Sequence, residues 1–191
     1  MIDSGTAYIN RLPGKLLNLE SKRAELDPGI IPILQRFNGL PFRSRQSCTG
    51  HTDTNGNLTE DAHIQFDMDP TLDENEIRIQ NDFINHLPNL NIVLSKRLGL
   101  RSTVPIFRLE DDPVETLDGH DAVITVKEAL DNDLPVTMFV RVKDLPIKEN
   151  DGNKTLTIVW EEFWKYMNDF DGAEKPVPDF EGGKVFVKKT P

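Results

Sequence analysis

The chain of 191 residues has one cysteine, Cys48, so no intrachain disulfide can staple it, and a reducing, cytoplasmic setting is the natural expectation. No apolar run approaches the roughly 18 residues of a membrane span, and residues 1–15 lack the apolar centre of a signal peptide. A soluble protein with no membrane partner is expected. Positive charge is scarce as well: 22 Lys and Arg against 32 Asp and Glu leave a formal charge of −10. Broad, sequence-independent binding to nucleic acid needs a net positive footprint, so nucleic acid is left with a local site at most. The Gly-rich strand-to-helix turn of the common dinucleotide fold is missing too. Asp53-x-Asn55-x-Asn57 begins like a calcium loop, but Leu58 stands where the sharp turn needs glycine.

The basic residues that are present are unevenly placed. Residues 28–52 hold Arg36, Arg43 and Arg45 without an acid, and residues 83–109 hold Lys96, Arg97, Arg101 and Arg108 without one. Packed side by side, these windows would form a positive surface on an acidic protein. The alternative is that they are core segments, from which carboxylates are excluded by burial alone.

Hydrophobic spacing gives the outline of a fold. A first helical pattern covers 15–26; a second follows Asp27-Pro28, with Ile30, Ile31, Leu34 and Phe37 on one face. Residues 42–48 read as a strand, 49–61 as a polar loop, and 62–68 as a strand with Ala62, Ile64, Phe66 and Met68 on one face. The two strands are expected to pair antiparallel. Asp73 and Glu76 form a capping box, opening a helix that Pro88 is expected to end. Strands are expected at 91–95, 104–109 and 135–143, and a turn at Asp151-Gly152. A helix at 158–170 would turn Trp160, Phe163, Trp164 and Met167 inward. The expected architecture is one α+β domain over residues 1–172, an antiparallel or mixed sheet covered by helices. An extended tail, 173–191, would follow, with a possible edge strand at 184–189.

One constellation concentrates reactive groups: Arg43-Ser44-Arg45-Gln46-Ser47-Cys48-Thr49-Gly50-His51, at the end of a strand. It reads in several ways. Backbone N–H groups around Thr49 and Gly50, the Ser47 and Thr49 hydroxyls, and Arg43 and Arg45 can cradle a small anion, with Arg97 and Arg101 adding charge. Cys48 can be a nucleophile activated by His51 or Arg45. Cys48, His51 and His63 can hold zinc, with Asp67 as a fourth ligand. The corner can also be a structural turn with Cys48 buried as a small apolar group. The first of these is the leading expectation: a small anionic ligand or single nucleotide held at residues 47–51 with His63 also among the binding residues, His51 orienting it or moving a proton, and no metal assigned.

Leu40-Pro41, the strand, Ser47-Cys48-Thr49-Gly50-His51, and the strand at 62–67 resemble a set of small proteins with a Ser-Cys-x-Gly-His motif. They also resemble the opening of the tRNA wybutosine-synthesising methyltransferase family, where a basic residue follows Ser-Cys-Ser-Gly. That resemblance implies S-adenosylmethionine as cofactor and a tRNA guanosine as substrate. His51 occupies the basic position here. A third expectation, a protein-interaction module, rests on the acidic faces and the proline-containing tail.

Overall fold

The computed structural model describes residues 29–68, 72–110, 113–115, 121–123, 136–172 and 174–180. The helical pattern at 15–26 and the edge strand at 184–189 lie outside the described residues. Helix α1, Ile30–Phe37, buries Ile30, Leu34 and Phe37 of the expected face, with Ile33 taking the inward place expected of Ile31, which is half-buried. At its end the Asn38 side chain accepts a hydrogen bond from the Ser44 N–H at 2.8 Å, fixing the entry into strand β1, Phe42–Cys48.

After β1 come two short strands, β2 (His51–Thr52) and β3 (Leu58–Glu60), then β4 (Ala62–Met68), β5 (Phe107–Glu110), β6 (Pro113–Glu115), β7 (Asp121–Val123) and β8 (Val136–Val140). The main sheet has the order β1-β4-β8-β5 and is antiparallel throughout. Phe42, Ala62, Ile64, Phe66, Phe107, Met138 and Val140 are buried together with the inner faces of the helices. Phe37 stacks on Phe42 with ring centroids 4.9 Å apart, and Phe107 stacks on Phe163 at 5.0 Å. The opposite parity, His63, Gln65, Arg108 and Phe139, is only half-buried.

Helix α2, Glu74–Arg97, opens with the expected capping box at Asp73 and Glu76, but it runs straight through Pro88. The strand expected at 91–95 is therefore helix. An interior proline costs about 3 kcal/mol. Beyond it, Leu90 and Leu94 are buried, each worth about 1.5–3 kcal/mol, so continuing the helix outweighs the break. Asn91 adds a polar reason: its side chain donates to Phe107 O at 2.9 Å and accepts from Phe107 N–H at 2.8 Å, pairing with β5 as a neighbouring strand would. Asn91→Ala leaves both buried backbone groups without that partner and is expected to cost about 2–4 kcal/mol, read as a lower denaturant midpoint.

Helix α3, Gly152–Asp171, starts six residues before the expected 158, because Thr155 and Leu156 already continue its buried face. The expected turn at Asp151-Gly152 is instead its N-terminus. Trp160, Phe163 and Met167 are fully buried, and Trp164 nearly so. The basic residues of the acid-free windows meet acids from this helix. Buried Arg36 lies 3.2 Å from Asp171, and Arg97 pairs with both Glu161 and Glu162. Burial lowers the pKa of the Arg36 guanidinium, with Asp171 pulling the other way. Residues 174–180 carry no helix or strand, yet they dock on α3: Trp164 Nε1 donates to Lys175 O at 3.1 Å, and Phe180 is buried. Among the described residues no helix is long and apolar enough to cross a membrane.

Candidate metal centre

The corner after β1 is built by three pieces of structure. The first is a bulge. Ser44 pairs with Phe66 and Ser47 with Ile64, so one extra residue lies between them on β1. The shift sets Cys48 opposite His63, on the sheet face away from the helices. The second is a tight turn at Gly50, whose φ of +85° favours glycine. The Gly50 N–H donates to Cys48 Sγ at 3.3 Å.

The third piece is a hairpin, β2–β3, inside residues 49–61, where the sequence alone suggests a polar loop. His51 pairs with Glu60 and Thr52 with Leu58 around a turn containing Asn55-Gly56. Asp53 closes it: its carboxylate accepts from the Asn57 side chain at 2.9 Å and from the backbone N–H groups of Asn57 and Asn55 at 2.9 and 2.8 Å. Those bonds, the Asn57 side chain first, hold the Asp53 carboxyl below its ordinary pKa. The hairpin docks on the start of α3. Gly152 N–H donates to Gly56 O at 2.9 Å, and a Cβ at Gly152 would lie 2.5 Å from that oxygen.

These pieces bring Cys48, His51 and Glu60 together. One ligand atom from each lies within 4.8 Å of the others. His51 Nε2 is 3.3 Å from Glu60 Oε2, and the His51 side chain is 12% exposed against 46% for Glu60. The cluster is therefore buried on its imidazole side and open on its carboxylate side.

The other expected residues have different surroundings. Thr49 is fully buried; its carbonyl accepts the Trp160 indole N–H at 2.9 Å, and its hydroxyl lies 3.3 Å from Gly50 O as donor. A Cβ on Gly50 would lie 2.9 Å from Leu156 Cδ2 of α3. Where an anion cradle is expected at Thr49 and Gly50, the backbone is thus walled by α3, and the Gly50 N–H is given to sulfur. Ser47 Oγ is buried without a hydrogen-bond partner. Arg97 is engaged with α3, and Arg101 is exposed on the loop after α2. Arg43 pairs with Asp67 in the β1–β4 ladder and Arg45 lies in the bulge; the side chains of all three lie outside the described part of the structure. His63 stands outside the close cluster, its ring 5.9 Å from that of Phe139. Glu60, which no sequence reading named, joins Cys48 and His51 instead.

Comparison with family models, curated proteins and solved structures finds no match. A thiol, an imidazole and a carboxylate are three donors of the kind zinc takes, whereas calcium and magnesium call for oxygen alone. The Asn55-Gly56 pair is the sequence signal that could have exposed Glu60. Asn-Gly between short alternating segments is a hairpin signature, and a hairpin centred there carries Glu60 back beside His51.

Proposed function

We propose that the protein is a zinc-binding domain. The ion is held by Cys48 Sγ, His51 and Glu60, and it pins the β2–β3 hairpin to the end of β1. The observation that carries this is the convergence of three different donors, one from the end of β1 and one from each strand of the β2–β3 hairpin. Tetrahedral zinc with bonds of about 2.0–2.3 Å sets neighbouring ligand atoms about 3.3–3.6 Å apart. The 3.3 Å between His51 Nε2 and Glu60 Oε2 already has that length. The Cys48 contacts need to tighten by up to about 1.2–1.5 Å from the 4.8 Å limit of the cluster.

Such a site binds the folded chain far better than the unfolded one, because Glu60 meets Cys48 and His51 only through the hairpin. Zinc at a hundred times its dissociation constant stabilises by about 2.7 kcal/mol, which for a chain of this size raises the melting temperature by about 5–10 °C. The expected titration shows that rise with one zinc per chain, reversed by a chelator. A stoichiometry near zero in protein purified without chelator and then supplied with zinc contradicts the proposal. Binding should also weaken as pH falls, since the thiol and imidazole must lose their protons to ligate. The same titration repeated between pH 7.5 and 5.5 checks the sign.

A further inference from the structure

Helices α2 and α3 leave a cleft of about 730 Å³ between them, lined by residues from 75 to 93 on α2 and from 162 to 172 on α3. Clefts of this size hold small organic ligands. No residue of the metal centre takes part in it. Its floor is apolar, with Ile79, Leu90 and Val93 from α2 and Tyr166 and Phe170 from α3. Val93 is 47% exposed, so the folded chain leaves an aliphatic side chain in water at this point. The Tyr166 and Phe170 rings meet edge to face with centroids 5.0 Å apart, and the exposed His86 ring stands 6.4 Å from that of Phe170. Aromatic faces attract a cation.

The charges around this floor favour one sign of ligand. Three acids and two bases line the cleft, and both bases are already answered. Arg78 is held by Asn75 at 2.8 Å and Asp82 at 3.5 Å; Lys165 is held at 2.9 Å by Glu162, which also takes Arg97. Asp169 is the carboxylate that remains: it is exposed, and among the described residues it enters no ion pair. Its charge reaches the aromatic wall, since after burial it is the further cause that raises the pKa of the Tyr166 phenol. The cleft also runs to Gly172, where α3 ends, so the negative end of the helix dipole adds to the same sign. The cations at that end, Arg36 and Lys175, are spent on Asp171.

We infer that the cleft binds a small organic cation, with an ammonium group beside Asp169 and an apolar body over Leu90, Val93 and Phe170. The formal charge of −10 draws a cation toward the chain and opposes an anion of the same shape. An uncharged apolar ligand would cover the floor and leave Asp169 unanswered.

The test titrates the full chain with three probes of matched shape, phenethylammonium, phenethyl alcohol and hydrocinnamate, followed through amide chemical shifts. The ammonium is expected to bind about five- to tenfold more tightly than the alcohol, through one exposed ion pair and one cation–π contact, and the carboxylate more weakly than either. The shifts should centre on the α2 and α3 residues that line the cleft. Asp169→Asn is expected to remove most of the preference for the ammonium over the alcohol. Val93→Lys, at an exposed helix position that lysine suits, should weaken the ammonium by a similar factor. A preference for the carboxylate, no binding of any probe at millimolar concentration, or an ammonium preference that survives Asp169→Asn overturns the inference. The probes need no metal, so each of these results leaves the zinc reading as it stands.

Discussion

Cys48→Ser is expected to reduce zinc affinity by more than about a hundredfold while the protein stays folded. Loss of a residue that only supports a metal ligand costs about 10–100-fold in affinity, and Cys48 is assigned as a ligand, so its loss should exceed that range. The fold should tolerate the change because Cys48 is half-buried on the sheet face away from the helices, and serine keeps an acceptor for the Gly50 N–H. Glu60→Gln provides the graded comparison: its amide oxygen can still approach the metal but without charge, so a smaller loss is expected. Isothermal titration of zinc into the three proteins, with circular dichroism to verify folding, reads both. Equal affinity in the wild type and Cys48→Ser would remove the sulfur from the account.

The second large effect is on stability. Trp160→Ala is expected to destabilise the chain by about 3–5 kcal/mol through the cavity it leaves. Losing the indole partner of the buried Thr49 carbonyl adds about 1–3 kcal/mol. For a chain of this size, that sum of about 4–8 kcal/mol lowers the melting temperature by about 8–32 °C, measurable by calorimetry. Trp160→Phe separates the two contributions, because it keeps most of the apolar volume and removes only the hydrogen bond. Since Thr49 directly follows Cys48, the phenylalanine variant should also bind zinc more weakly than the wild type. A drop of only 1 or 2 °C in the alanine variant would mean that α3 does not anchor the corner.

The fold was legible where one face of an element does the work. Ile30, Leu34 and Phe37 define α1, Ala62, Ile64 and Phe66 define β4, and Asp73 with Glu76 starts α2. The reading failed where tertiary contacts overrule a local rule. Pro88 looks like a helix end, but Leu90, Asn91 and Leu94 find buried partners only if the helix continues. Asp151-Gly152 looks like a turn, yet Gly152 opens α3 because its missing side chain admits the hairpin backbone.

The candidate site was half visible. Cys48 and His51 stand three residues apart, and spacing alone brought them to notice. Their partner could not be chosen by spacing between strands. His63 is the direct neighbour of Cys48 in the sheet, but the hairpin inside the loop brings Glu60 to His51 instead. The acid-free windows, which fit either a positive surface or core segments, spend Arg36 and Arg97 on α3. Among the described residues of the sheet face beside Cys48, Arg108 keeps a buried Nε without a hydrogen-bond partner.

X-ray absorption at the zinc edge of the loaded protein tests the central claim most directly. The account predicts one sulfur at about 2.3 Å, with the remaining ligands nitrogen and oxygen at about 2.0–2.2 Å. A first shell of nitrogen and oxygen alone, with no sulfur, would contradict it.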